Sequence, residues 1–164
     1  MKENKGFSLI ELLIVVAIIL IIAAIAIPNL LKSREAANEA SATATLRTLT
    51  TSEITYASTY NTGFTDNFSK LGTPAGGPST YQYADLADPV LSGNGPGGLP
   101  TAFTKNGYNF TYTPTGAFGS IAVYGINADP TARNSSGIRS FFTNQQAVVR
   151  ANFTAAATST DNPI

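Results

Sequence analysis

The chain of 164 residues contains no cysteine and no histidine. Disulfides are therefore excluded, zinc sites lose their two usual ligand types, and imidazole acid–base chemistry is ruled out. Charged residues make up only 12%, and ten basic side chains balance ten acidic ones, so bulk charge gives no argument for nucleic acid as a partner. No aromatic residue lies between Ser8 and Thr55, which removes any path of stacked rings through that segment. Neither glycine nor proline interrupts Asn29 to Tyr60. A hydrophobic content of 43% nonetheless matches a folded protein, long enough for one domain and an anchor.

What is present begins with an apolar run. Phe7 to Ile27 carries one charge, Glu11, and is long enough as a helix to cross roughly 30 Å of hydrocarbon. A carboxylate at membrane depth costs roughly 2.5–3.5 kcal/mol on insertion scales, so Glu11 needs a partner that its own helix does not supply. Residues 1–6 form a short polar leader ending in Gly6, a small residue a peptidase can grip. An ordinary secretory signal, cut near Ala24-Ile25-Ala26, and a plain single-pass anchor both compete for this segment. Neither accounts for Glu11, nor for the helical pattern that continues downstream. Lys2 and Lys5 on one side are matched by Lys32 and Arg34 on the other, so the charge rule sets no orientation.

Pro28 removes a backbone donor and crowds the carbonyl of Ala24. It reads either as a helix stop at the membrane edge or as a hinge, and the hinge is favoured because helical patterning resumes at once. The expected element is a single helix of about 50 residues. Between Ser41 and Thr65, 12 of 25 residues are Ser or Thr, which are mediocre helix formers. That half must be held by packing, with Leu46, Leu49, Ile54, Tyr56 and Tyr60 as its buried stripe and Phe64 and Phe68 as further packing groups.

The rest of the chain reads as strands and turns. Gly63 and the Gly72–Pro78 stretch mark the helix exit, and Gly93–Pro100 is a second loop. Tyr108, Phe110 and Tyr112 alternate with polar residues after an Asn106-Gly107 turn, and Pro114-Thr115-Gly116 turns into a strand from Ile121 to Ile126. Ser140–Thr143 and Ala147–Asn152 read as two more strands around Asn144-Gln145-Gln146, followed by a polar surface tail from Ala155. The fold class is α+β: a long N-terminal helix, its apolar half exposed and its rear half packed on a 3–4-stranded antiparallel sheet. Arg139 and Arg150 read as solvated strand residues. Asp85, Asp88, Asp129 and Asp161 read as solvated loop carboxylates rather than calcium ligands, so neither metal nor cofactor is expected. The four sequons at Asn67, Asn109, Asn134 and Asn152 match what chance gives in so Thr-, Ser- and Asn-rich a chain. Without His or Cys, a hydrolase would need a carboxylate pair or a Ser–Lys dyad, and Lys32, Lys70 and Lys105 show no such spacing; no enzymatic activity is expected.

Gly6-Phe7-Ser8-Leu9-Ile10-Glu11-Leu12-Leu13-Ile14-Val15-Val16, together with Pro28, resembles the class III leader of type IV pilins and type II secretion pseudopilins. The likeness covers residues 5–35, and the Gly137–Thr143 and Ala147–Asn152 segments resemble the final hairpin of cysteine-free members. The resemblance implies that 1–6 is removed by a membrane prepilin peptidase, that Gly6 and Phe7 flank the cut, and that Phe7 is then N-methylated. It implies a transmembrane and polymerisation helix at 7–28 and a globular domain at 29–164. The mature Phe7 ammonium and the Glu11 carboxylate, each costly alone in an apolar setting, would neutralise each other between two subunits; an internal i, i+4 pairing is the alternative. The implied product is a homopolymeric helical pilus for adhesion, motility or DNA uptake, with a pseudopilin of a type II secretion system as the second reading. Its implied partners are further copies of the chain, the peptidase, an inner-membrane assembly platform and minor pilins. The chain would begin in the inner membrane and end on the cell surface.

Overall fold

The computed structural model describes residues 6–74, 77–92, 101–117 and 119–164. Most of the leader (1–5), part of the Gly72–Pro78 loop and the Gly93–Pro100 loop lie outside the described residues. The chain divides into two compact units, Met1–Arg34 and Glu35–Ile164. Helix α1 is Leu9–Tyr60, a 52-residue element with Pro28 in its interior.

Within the second unit, α1 is held in the two ways its composition demands. Several of its hydroxyls fold back on the carbonyl four residues earlier, Thr48 on Ala44, Thr51 on Arg47 and Thr55 on Thr51, which occupies side chains that would otherwise compete with the helix. The opposite face carries Ala42, Leu46, Leu49 and Tyr56 into the core. Ile54, expected on that stripe, is exposed, because it sits one residue, about 100°, away from the 46–49–53–56 row. The position on the row belongs to Glu53, which is fully buried.

The helix ends at a left-handed Asn61 (φ 52°), whose N–H donates to the Ala57 carbonyl, and Gly63 follows at φ 74°. Gly63 forms a parallel bridge with Ile121, and Phe64 N–H donates to the Ile121 carbonyl at 2.9 Å. A Cβ on Gly63 would lie 2.5 Å from that same carbonyl oxygen. Gly63→Ala is therefore expected to cost about 2–4 kcal/mol, from left-handed strain and forced separation of backbone, read as a lower midpoint in denaturant unfolding.

Six antiparallel strands, paired in chain order, form one meander: β1 Ala102–Lys105, β2 Tyr108–Thr115, β3 Val123–Pro130, β4 Ser140–Asn144, β5 Arg150–Asn152 and β6 Asn162–Pro163. The count exceeds the 3–4 expected because β1 and β6 close the two edges. Asn106 and Gly107 both have positive φ and join β1 to β2 with Lys105 opposite Tyr108, the two-residue turn this dipeptide favours. Along β2, Tyr108, Phe110 and Tyr112 point inward while Asn109, Thr111 and Thr113 point out, as the alternation predicts. Tyr124, Ile126 and Ala128 of β3 and Phe141 of β4 complete the inner face. Phe103 stacks on Phe110 at 4.7 Å, and Phe68 meets both Phe103 and Tyr112 edge-on or tilted, so the aromatic residues do act as packing groups.

Several boundaries differ from expectation. Pro114 lies inside β2 opposite Tyr124 rather than in a turn. Strand β1 reaches only to Ala102 opposite Thr111, so β1 makes no demand on the missing N–H of Pro114. Ile121 precedes its strand as the bridge to Gly63. Strand β5 starts at Arg150, not Ala147, because Ala147 adopts φ 61° and its N–H donates to the Asn144 carbonyl, closing the turn without a glycine.

The two arginines are not solvated strand residues. Arg139 makes an ion pair with Glu39 at 2.8 Å, its Nε donating to the same carboxylate, which also accepts the backbone N–H groups of Ile138 and Arg139. Arg150 donates to the Asp161 carbonyl at 2.7 Å, tying the tail to β5, while Ile164 N–H donates to the Val149 carbonyl. The tail that was expected to lie along the surface therefore supplies the last strand.

Candidate functional site

The residues singled out by sequence lie in the first unit. Gly6 is exposed, and among the described residues a Cβ placed there meets no atom within 4 Å. Phe7 is 86% exposed. Ser8 caps α1: its carbonyl accepts the Leu12 N–H at 3.2 Å, and its own N–H donates to Glu11 Oε2 at 2.8 Å. This is half of a capping box, a serine followed three residues later by a glutamate that reaches back to it. The negative side chain also sits in the first turn, at the positive end of the helix dipole.

The expectation that Glu11 finds no partner in its own helix is corrected to that extent. One carboxylate oxygen is satisfied locally by a free N–H of the helix end. A hydrogen bond to a neutral amide leaves the charge in place, however, so the electrostatic cost of apolar surroundings stands. The serine at residue 8 with Glu11 was a legible signal for this cap, since the spacing is the capping-box spacing.

From Leu12 to Ile27 the helix is apolar on every side. Leu9, Leu12, Leu13, Ile14, Val16 and Ile18 are all more than 45% exposed, and the same holds for each large apolar residue through Leu31. An 18-residue window reaches a mean hydropathy of 3.3 with none of it buried, long and apolar enough to cross a membrane. With no amphipathic stripe, the segment cannot be covered by one face of a globular domain; only lipid or several neighbouring helices can surround it.

Pro28 does not stop the helix, which runs on to Tyr60. Its ring leaves the Ala24 carbonyl without the usual i+4 donor. Adjacent side chains add bonds here: Asn29 Nδ2 donates to the Ile25 carbonyl at 3.1 Å, and Ser33 Oγ to the Asn29 carbonyl at 2.9 Å. These bonds end on the Ile25 and Asn29 carbonyls rather than on that of Ala24, so they brace the helix beside the proline without replacing the donor it lacks.

Among the described residues no group of three or more acidic side chains is placed to hold a metal. Asp88 caps the Val90 and Leu91 N–H groups, and Asp161 accepts from Thr158 N–H and Asn152. The Thr158 and Asn152 bonds hold the Asp161 carboxyl below its ordinary range.

Residues 1–27 match the family model described as the prokaryotic N-terminal methylation motif. The type IV wide pilus major component PilA4 of Thermus thermophilus is 61% identical over 46 residues, covering 28% of this chain and 35% of that protein. The type IV major pilin protein PilA of Myxococcus xanthus is 48% identical over 56 residues, covering 34% of this chain and 26% of that protein. The matched segments thus span only about a third of these curated relatives or less, and no solved structure matches the chain significantly. The chain carries a type IV prepilin methylation motif at its N-terminus, and over stretches of 46 and 56 residues it is homologous to type IV major pilins.

Proposed function

We propose that this chain is the structural subunit of a type IV pilus. Prepilin peptidase cuts between Gly6 and Phe7, the new Phe7 amine is methylated, and the mature chain waits in the inner membrane on the 7–28 helix. An assembly platform then draws it into a homopolymer that extends from the cell surface and serves adhesion, motility or DNA uptake. The observation that carries this reading is the methylation motif over residues 1–27, which runs into an apolar helix with no buried residue in its most hydropathic window. A head-to-tail interface that does not close grows into a filament, and the unburied helix supplies the surface such an interface needs.

In the filament, Glu11 of one subunit faces the Phe7 ammonium of the next, and the apolar helices bury one another. Pro28 is the hinge at which the helix leaves the bilayer and repacks, because the Ala24 carbonyl is already without its backbone donor. The role is architectural, and residues 29–164 form the outward globular part.

Mass spectrometry of chains sheared from cells tests the maturation step. The expected mature species begins at Phe7 and is one methyl group heavier than the encoded sequence. A species beginning after Ala26 would mark an ordinary secretory signal and end the proposal.

A further inference from the structure

Glu53 is the most heavily buried carboxylate in the described structure, with 0% of its surface exposed. Among the described residues, ion pairs are made elsewhere, Lys70 with Asp66 and Arg139 with Glu39. Glu53 instead holds the segment just past the end of α1: Oε2 accepts the Thr65 N–H at 3.0 Å, and Oε1 lies 2.6 Å from Thr65 Oγ1. Thr65 passes the contact on to the sheet, since Tyr112 OH donates to the Thr65 carbonyl at 2.7 Å and lies 3.4 Å from Thr65 Oγ1.

The groups facing this carboxyl come from every element around it. Tyr56 belongs to the same helix, Thr65 and Asp66 to the following segment, Tyr112 to β2 and Tyr124 to β3. Asp66 adds like charge, tempered by Lys70 at 3.0 Å. Hydroxyls can serve a carboxylate or a carboxylic acid, because a hydroxyl donates to the first and accepts from the second. If Glu53 is protonated, its O–H donates to Thr65 Oγ1, which is then free to donate to Tyr112, while Oε2 still accepts the Thr65 N–H. If it is ionised, Thr65 must donate to Glu53 and the contact to Tyr112 Oη loses its hydrogen.

We propose that Glu53 is a proton-operated latch between the end of α1 and the 61–66 segment, closed in the acid form and loosened when the carboxyl ionises. Burial is the leading physical cause, and it pushes the Glu53 carboxyl up to about 7 although Thr65 and Tyr112 pull it down. A carboxyl raised in the folded state above its ordinary 4.5 binds its proton more tightly folded than unfolded. The latch is therefore firmest at and below that ordinary value and weakens as pH rises through about 7. The device senses the medium around the globular part, and it does not depend on how the chain assembles.

The test is amide exchange on the full chain in detergent micelles, expressed as protection of the 61–66 segment relative to intrinsic exchange. Protection at pH 5 is expected to exceed that at pH 8 by roughly tenfold to hundredfold. Glu53→Gln copies the acid form, its amide donating to Thr65 Oγ1 and its oxygen accepting the Thr65 N–H, and should hold protection level across that range. A native chain with no pH dependence in this segment, or a Glu53→Gln variant that follows the native slope, overturns the latch. Should the variant not fold, the carboxyl carbon shift of Glu53 in the native chain decides: a midpoint near 7 supports the proposal, and one near 4.5 overturns it.

Discussion

Cells making only Glu11→Val chains are expected to insert and cut the protein normally and to carry no filaments, a loss of at least a hundredfold in sheared fibre. Removing the carboxylate lowers the cost of the helix in the membrane by roughly 2.5–3.5 kcal/mol, so the precursor should accumulate rather than vanish. Valine also removes the bond from Ser8 N–H to Glu11 Oε2, which confounds charge with helix capping. Glu11→Gln separates the two, because its amide oxygen still accepts the Ser8 N–H while the charge is gone. If the pairing between subunits is electrostatic, the glutamine variant fails as the valine variant does. If the Glu11→Gln chain forms filaments in normal amount, Glu11 is a helix cap and the intersubunit ion pair is wrong. Sheared-fibre yield and mature N-terminus, measured together on both variants, distinguish an assembly defect from a processing defect.

The parts of this chain that sequence could reveal are those whose partners are close in the chain or whose pattern repeats. The period of two in Tyr108–Thr113 and the Asn106-Gly107 turn place the start of β2 at Tyr108, where it lies, although the strand runs two residues past its expected end to Thr115. The same turn implies a strand on its other side, and Phe103 followed by Thr104 and Lys105 was the available signal for β1. Strand β6 offered none: it is two residues long, one of them proline, and it exists because Arg150 and Val149 hold the tail against β5. The buried stripe of α1 is legible at Leu46, Leu49 and Tyr56 but not at Ile54, where hydrophobicity points one way and position the other, and where Glu53 takes the buried place. Arg139 was unreadable for another reason, because its carboxylate partner is 100 residues away. The N-terminal methylation motif was the most legible part because it is local throughout, a contiguous pattern within residues 1–27. Its capping bond from Ser8 was also local, and the sequence contained it.

The second large effect is expected at Glu39. Glu39→Ala should lower the unfolding free energy of the globular unit by about 2–4 kcal/mol, enough to halve or erase the margin of a small domain. Glu39 is 8% exposed and joins α1 to the Ile138–Arg139 backbone and the Arg139 guanidinium, so one substitution leaves two backbone donors and a charge without their acceptor. The guanidinium also lies 5.3 Å from the Phe141 ring centre and 5.9 Å from that of Phe153, and losing its anchor loosens that sandwich. Glu39→Gln keeps one good acceptor and should cost clearly less; equal losses for the alanine and glutamine variants would mean that the ion pair, not the backbone clamp, dominates. Burial opposes ionisation of this carboxyl, but the Arg139 and Ile138 N–H groups and the guanidinium outweigh it and hold the group below its ordinary 4.5. A carboxyl lowered in the folded state contributes stability that is present above 4.5 and disappears as pH falls through the folded value. Glu53 has the opposite slope, losing stability as pH rises toward 7 and above. The native chain should therefore be most stable in mildly acidic solution, with Glu39 contributing to the acid limb alongside Asp161 and Glu53 to the neutral one. Denaturant unfolding of the full chain in micelles from pH 3 to pH 8 checks this directly. Glu39→Ala should flatten only the acid limb and leave the decline toward neutrality unchanged, because the two carboxyls belong to separate hydrogen-bond networks.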